Sequence, residues 1–560
     1  MHLILIILFF LFETLNANSS VQILNGPYKD EILINKNWEA TVNIQGARGE
    51  FRNFIFRSSI PIESNMTWNW KDPRNRNIYP HLNVFLMNQV LINRSSYSSK
   101  RNFNVFDPLI PIDKQGVRHK KQKIKIEKLS HRESLSPVQT SKIFQVKNLN
   151  EISQEFPKIN KRDSYFYYWI EVEIPRKIDK GVQSALININ GQDISVELNV
   201  LDWEIPIEWS LPAYIELNPW YVSLAHYGGW DNREKQLSGN YFNMLRQHRF
   251  STTKSWREFI KWTKEGIEKY LEANSSVFDS NMKEIAFDLP IQASDKPFNE
   301  HINDLKEMGK WVHSQKPRNY FTYFLDEPTP TQIQNSLSEI SLIKKYSPEL
   351  RIMVTTEPKT ELNPFIDIFV PVMNYYKPSW QVPIGKELWW YISCMSHGCG
   401  EDDDPGVPDF VIDRPESYIL SIGPLSWQKK IDGFLYFHAN YNYQFAPKKD
   451  PWTDLFYFSG NGDGDLFYPG KPGTHGSTIH QPIPSVRLKL WRETSYLHQY
   501  LNYLQSLNPE STLLKEIHAD FGSVFQWPRT IDYYINLKKR IFTELEKLLE
   551  LKNKSTYKTH

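Results

Sequence analysis

From about residue 21 to 205 the chain alternates apolar and polar residues in short runs, without long helical periodicity. Stretches such as "WEATVNI", "YFYYWIEVEI" and "ALININGQDISVELNVLDW" repeat with period two, the spacing of half-buried strands. The last contains Asn190-Gly191, the strongest short hairpin signal. This half therefore predicts a β-sandwich. It is interrupted by the basic run "DKQGVRHKKQKIKIEKLSHRES", which reads as a solvated insertion or as a patch for an anionic partner. After "EIPIEWSLPAY" the pattern changes. Short apolar runs ("AYIELN", "RFSTTK", "EIAFDLP", "YFTYFL", "RIMVTT", "IDIFVPVMN", "LWWYIS", "DGFLYF") alternate with amphipathic stretches such as "FNEHINDLKEMGKWVHSQ" and "PTQIQNSLSEISLIKKY". Eight strands with interleaved helices predict an α/β fold, a closed (β/α)8 barrel of the TIM type preceded by the sandwich. A last amphipathic helix is expected from about Ile531 to Leu551.

The extreme amino terminus stands apart. In "MHLILIILFFLFETLNANSS" the apolar run Leu3 to Phe12 is too short to span a bilayer, and Ala17 to Ser19 offer a cleavage point, so residues 1–19 read as a secretory signal. The expected organisation is then signal 1–19, sandwich 20–207 and barrel 208–560. Sequons at Asn65, Asn93, Asn274 and Asn553 fit a secreted or lysosomal route. The only two cysteines, Cys394 and Cys399 in "CMSHGC", allow one small disulfide loop; with His397 they make a poor zinc site, because a fourth ligand is missing. A net charge of +2 gives no pull toward nucleic acid, and a mean hydropathy of −0.52 excludes a polytopic membrane protein. Aromatic residues make up 14% of the chain, enough to fill cores and still supply ring faces for a sugar site.

The candidate chemistry sits where strands end. "FTYFLDEPTPTQ" closes the expected fourth barrel strand with two adjacent carboxylates, Asp326 and Glu327, followed by Pro328. Catalytic groups of a barrel gather at the C-terminal strand ends. Successive residues share a site only if the chain is leaving strand geometry there, which Pro328 favours. Other strand ends carry Asn374, Tyr375 and Tyr376 in "PVMNYY", Trp389 in "LWWY", and Asn440 in "LYFHANYN". A Gly- and Asp-rich loop adds Trp452 and Asp465. Acids and amides bind hydroxyls and rings stack on apolar sugar faces, so the set points to a glycan-binding site.

Together "FLDEP", "LWWYISC", "DGFLYFHANYN", "DPW", "GDGDLFYPG" and "PIPSVRLKLWRE" resemble glycoside hydrolase family 123, from about Leu211 to Leu504. The resemblance implies a retaining β-N-acetylgalactosaminidase-like enzyme that uses the substrate's own acetamido group, without metal or cofactor. It implies Glu327 as acid and later base, Asp326 as the residue that orients the acetamido group, and Tyr375 or Tyr376 as a donor to its oxygen. The negative charge of Asp326 is expected to favour a protonated Glu327. Asn374, Trp389, Asn440, Trp452 and Asp465 are the accompanying substrate-binding candidates. The segment "WRETSYLHQYL" departs from the acidic helix usual in the family and keeps only Glu493. An acidic loop, "MSHGCGEDDDPGVPD", follows the seventh strand. It reads as a solvated loop or as a wall of the aglycone site. The implied partners are glycan ends of glycolipids or glycoproteins, not nucleic acid.

Two other readings remain at this stage. Glu357, in "VTTEP", is a candidate conventional nucleophile opposite Glu327 for sugars lacking an acetamido group. A secreted carbohydrate-binding protein that has lost catalysis would keep the aromatic residues, yet it has little reason to keep two repelling carboxylates.

Overall fold

The computed structural model describes residues 21–29, 39–59, 66–71, 78–112 except 99, 165–252 except 190, 287–288, 302–315, and 320–556 except 394, 399–405, 476 and 478. The expected signal, the basic run, Asn65, Asn274, Cys394, Cys399 and the centre of the acidic loop lie outside these residues. The chain divides into two compact units. One contains residues 1–88, 109–204 and 471–479; the other contains 89–108, 205–470 and 480–560.

The N-terminal strands are β1 (Gln22–Leu24), β2 (Thr41–Arg48), β3 (Phe51–Ser58), β4 (Thr67–Lys71), β5 (His81–Ile92), β6 (Phe103–Pro111), β7 (Phe166–Glu173), β8 (Gly181–Ile189) and β9 (Gln192–Glu204). They form a five-stranded sheet, β1-β3-β7-β5-β6, and a four-stranded sheet, β2-β9-β8-β4. β1 with β3, β3 with β7, β5 with β7, β4 with β8 and β8 with β9 pair antiparallel, and β2 with β9 parallel. Hairpin β8–β9 turns at the predicted place, with Ile189 opposite Gln192 and Gly191 at φ 85°, a left-handed conformation that glycine adopts without steric cost. The alternating "ISVELNV" of β9 buries Ile194, Val196, Leu198 and Val200. Its intervening residues stay partly or fully exposed.

The second unit is built on parallel strands: β10 (Ala213–Ile215), β11 (Phe287–Asp288), β12 (Tyr320–Leu325), β13 (Ile352–Val354), β14 (Ile368–Phe369), β15 (Glu387–Tyr391) and β16 (Gly433–Tyr436). Their order is β10-β16-β15-β14-β13-β12-β11. The sheet curls: the Tyr214 ring of β10 meets Phe321 of β12 edge-on at 5.1 Å, although four strands lie between them in the sheet order. Inside the curl, Phe321, Met353, Ile368, Val370, Val372, Trp389, Tyr391 and Leu435 pack as one cluster. They are alternate residues of their strands, as a pleated sheet requires.

This corrects the predicted fold class, a closed (β/α)8 barrel preceded by a β-sandwich. Among the described residues the parallel sheet has seven strands and is an open, curled half-barrel; the other sheets are mostly antiparallel. The expected strand "RFSTTK" supplies one bridge, Ser251 to Tyr214. Of that run only the residues as far as Thr252 are described, and there Ser251 donates to the Ala213 carbonyl and accepts from the Ile215 amide, both at 2.9 Å. At the other edge β11 is described over two residues.

Helices pack along the parallel strands. The first, α1 (Pro219–Tyr227), starts at Asn218, whose side chain accepts from the Trp220 and Tyr221 amides, and ends at Gly228 in the left-handed conformation. Then come α2 (Glu234–Gln247), α3 (Ile302–Gln315) and α4 (Pro330–Tyr346). Helix α4 begins with a capping box between Thr329 and Gln332 and has proline in its first turn. Further on, α5 (Glu416–Leu420), α6 (Ile422–Lys429), α7 (Val486–Leu507), α8 (Thr512–Asp520) and α9 (Ile531–Thr556) complete the unit. The last is the helix predicted from Ile531, five residues longer at its end. No helix of the described residues is long and apolar enough to cross a membrane.

Candidate active site

The acid pair lies where β12 stops. The register between β12 and β13 shifts after Tyr323, so Leu325 rather than Phe324 faces Val354. The chain then leaves the sheet through Asp326 and Glu327, with Glu327 at φ 43°. That left-handed backbone is rare for a residue with a side chain and is held here by a neighbour: the Glu327 amide donates to Thr355 Oγ1 at 2.6 Å. The two carboxylates consequently point to different partners. Asp326 Oδ1 accepts from Tyr323 Oη at 2.5 Å and from Thr355 Oγ1 at 3.1 Å. Glu327 Oε1 accepts from Tyr391 Oη and lies 3.1 Å from His397 Nε2. Both acids remain open to solvent.

Tyr391, the last residue of β15, is buried. Burial first, and then the adjacent Glu327, pushes its phenol far above the ordinary range, so it stays a donor. The His397 ring is fixed by its own turn: Nδ1 is 2.8 Å from the Ser393 carbonyl and 3.1 Å from Ser396 Oγ. The backbone carbonyl of His397 accepts from Asn374 Nδ2 and from Tyr375 Oη, each at 3.1 Å. The Tyr375 ring is half exposed beside the imidazole, centroids 6.2 Å apart. Tyr376 turns elsewhere, edge-on to Trp380 and Trp390.

The structure thus gathers Asp326 and Glu327 past β12 with Asn374 and Tyr375 past β14, beside Tyr391 at the end of β15. Trp389 lies deeper, 1% exposed inside the curl, with its indole N–H on Glu387 at 2.8 Å. The remaining candidates form a separate buried group. Asn440 exchanges two hydrogen bonds with the backbone of Asn218, at 3.1 and 3.0 Å. Asp465 accepts from the Asn442 amide at 2.9 Å, and burial pushes its carboxyl well above the usual range. Trp452 donates to the Pro469 carbonyl and packs on Tyr468. Glu357, the alternative nucleophile, lies 3.6 Å from Lys377 and is 42% exposed.

Sequence reasoning missed Tyr323, Thr355, Tyr391 and His397. The signal for Tyr391 was present: it shares the parity of Trp389 and lies two residues nearer the strand end, where side chains leave the core for the site. His397 was weighed only as a metal ligand between two cysteines. Trp220 and Trp230 were also passed over. They are 42% and 69% exposed, with rings 6.0 Å apart and nearly parallel, just past β10.

An α/β unit with a curled parallel sheet and paired carboxylates at its C-terminal strand ends has the layout of a polar-ligand or hydrolytic site. No family model matches the chain, and no curated protein matches it. Among solved structures it is similar to a family 123 glycoside hydrolase from Clostridium perfringens, described in terms of glycolipid glycan hydrolysis. That likeness has a TM-score of 0.62 at 13% identity and covers 95% of this chain and 99% of the other; at such identity it speaks to the fold. An amylomaltase from Corynebacterium glutamicum, with a TM-score of 0.10 and 8% identity, carries no argument.

Proposed function

We propose that the protein is a retaining exo-glycosidase that releases terminal β-linked N-acetylgalactosamine, or a related N-acetylhexosamine, by substrate-assisted catalysis. The observation that carries this reading is the divergence of the two adjacent acids. A conventional retaining glycosidase needs carboxylates about 5–5.5 Å apart on opposite sides of the bond. Neighbouring residues on one strand end suit a different division of labour. The acetamido carbonyl oxygen attacks C1 as the glycosidic C1–O bond breaks, and Glu327 gives its proton to the departing oxygen. Asp326, held by Tyr323 and Thr355, is placed to accept from the acetamido N–H and to stabilise the oxazolinium ion by charge. Glu327, now a carboxylate, takes a proton from the water that adds to C1, and two inversions leave the configuration retained.

The fold likeness to a family 123 glycoside hydrolase supports a glycosidase in general, and the tyrosines and Asn374 beside the pair suit hydroxyl and acetamido groups. A secreted or lysosomal route is part of the proposal, motivated by the amino-terminal apolar run and by the exposed sequon residue Asn93.

The test is hydrolysis of matched chromogenic β-GalNAc, β-GlcNAc and β-galactoside substrates. Cleavage confined to the acetamido sugars is expected. Release from the plain galactoside would overturn substrate assistance. On an acetamido substrate with a poor leaving group, Glu327→Gln is expected to lower kcat about 10²–10⁴-fold. Unchanged turnover in that variant would remove Glu327 from the reaction.

A further inference from the structure

The imidazole of His397 is oriented before any substrate arrives. A carbonyl oxygen only accepts, so the Ser393 contact at 2.8 Å puts a proton on Nδ1. In the neutral ring Nε2 then carries a lone pair, and it faces Glu327 Oε1 at 3.1 Å. A bare carboxylate and a bare ring nitrogen repel at that distance. The contact is favourable only when one proton lies between them, on the carboxyl or on the ring. The same Oε1 already accepts from Tyr391, which anchors the carboxylate in one rotamer. The turn that bears His397 is tied in turn to Asn374 and Tyr375 through its backbone carbonyl.

We propose that His397 is the positioning residue of the acid, sharing with Glu327 the single proton that is delivered to the leaving oxygen. This rests on the glycosidase reading above and deepens it. In the resting site the proton bridges Oε1 and Nε2. During bond cleavage it passes to the glycosidic oxygen, and in the second half the water proton returns to the same pair. Among the described residues, the titratable groups against the imidazole are Glu327 from the end of β12, Tyr391 from β15 and Tyr375 from the end of β14. Both phenols donate, one to Glu327 and one to the His397 backbone.

The experiment has two readouts on the full chain. The first is kinetic, comparing His397→Phe and His397→Gln with the parent on two acetamido glycosides, one with a dinitrophenyl aglycone that needs no acid and one with an alkyl aglycone that does. Expected is a loss of kcat of about 10–100-fold on the alkyl glycoside and under about threefold on the dinitrophenyl one. The limb of the pH profile that reports the acid is expected to move. Equal losses on both substrates with an unmoved limb would reduce His397 to packing and overturn the proposal. The second readout needs no activity. With ring-labelled histidine, the His397 signal is assigned by its absence in His397→Phe and titrated in the parent and in Glu327→Gln. A titration that changes in Glu327→Gln supports the shared proton, whereas an identical curve overturns it. Coupling without hydrolysis of any glycoside would bring down the glycosidase reading alone.

Discussion

At the level of single residues, the site shows how two adjacent carboxylates coexist. Their repulsion is offset because each has its own partners: tyrosine and threonine hydroxyls donate to Asp326, and a tyrosine hydroxyl donates to Glu327, whose Oε1 also lies against the His397 ring nitrogen. The left-handed backbone at Glu327 separates the two side chains, and Thr355 holds that backbone from the next strand. Tyr391→Phe removes one hydrogen bond to a charged oxygen, an interaction worth about 1.5–3 kcal/mol. We expect kcat to fall roughly 10–100-fold on an acetamido glycoside, with KM within about threefold, because the loss concerns the acid and not the bound sugar. Steady-state kinetics on the purified variant decide this; a rise in KM with unchanged kcat would place Tyr391 in binding instead. Asp326→Asn keeps the shape of the pair but weakens charge stabilisation of the oxazolinium ion. Its loss of turnover should exceed that of Tyr391→Phe.

Among the elements, β15 and β16 show why the interior has room for so much aromatic mass. Trp389 projects from β15 onto Gly433, the first residue of β16, where a Cβ would come within 2.2 Å of the indole. The indole is rigid and enclosed, so it has nowhere to go. Gly433→Ala should cost about 1–3 kcal/mol, read as a lower urea midpoint with unchanged slope. Parent-like stability would show that the indole can move, contrary to its close packing. The strands of this sheet were legible from sequence because short apolar runs between amphipathic stretches are a local signal. "RFSTTK" is described as far as Thr252, and there it joins β10 by the bridge from Ser251 to Tyr214. How far the parallel ladder runs depends on pairing between distant segments, which no window of neighbouring residues announces.

For the molecule as a whole, buried charge and buried histidine decide how stability responds to change. Within the second unit Asp107 pairs with Arg487, whose guanidinium also donates to the Phe410 and Gly462 carbonyls; both side chains are buried. Replacing one partner leaves the other charge uncompensated, so Asp107→Asn should destabilise by about 3–5 kcal/mol, seen in chemical unfolding. His498 of α7 accepts or donates to Ser210 Oγ at 2.7 Å, and burial, then Arg249, holds its imidazole down to about 3. The unfolded chain takes up that proton near the ordinary 6.5, so the contribution of His498 is present above pH 6.5 and is lost as pH falls toward 3. Between pH 6.5 and 5 it amounts to roughly 2 kcal/mol at most. His498→Gln should therefore lose less stability than the parent over that interval, and parallel pH–stability curves would refute the assignment.

What the sequence by itself determined is local. Period-two runs marked the strands, "NGQD" the hairpin, the terminal pattern the last helix, and "FLDEP" the place of the acid pair at a strand end. Only the tertiary structure decided how far the parallel sheet closes, and which residues at the strand ends meet. Trp389, Asn440, Trp452 and Asp465 bear the residue types of a sugar site, yet their depth puts them among core and backbone partners. Tyr391, unremarked in sequence, and His397, weighed there only as a metal ligand, meet Glu327 because β12 and β15 lie in one curled sheet. The physical reason is that side-chain parity is a property of neighbours along the chain. Depth along the strand and the partner across the curl depend on pairing between segments tens of residues apart.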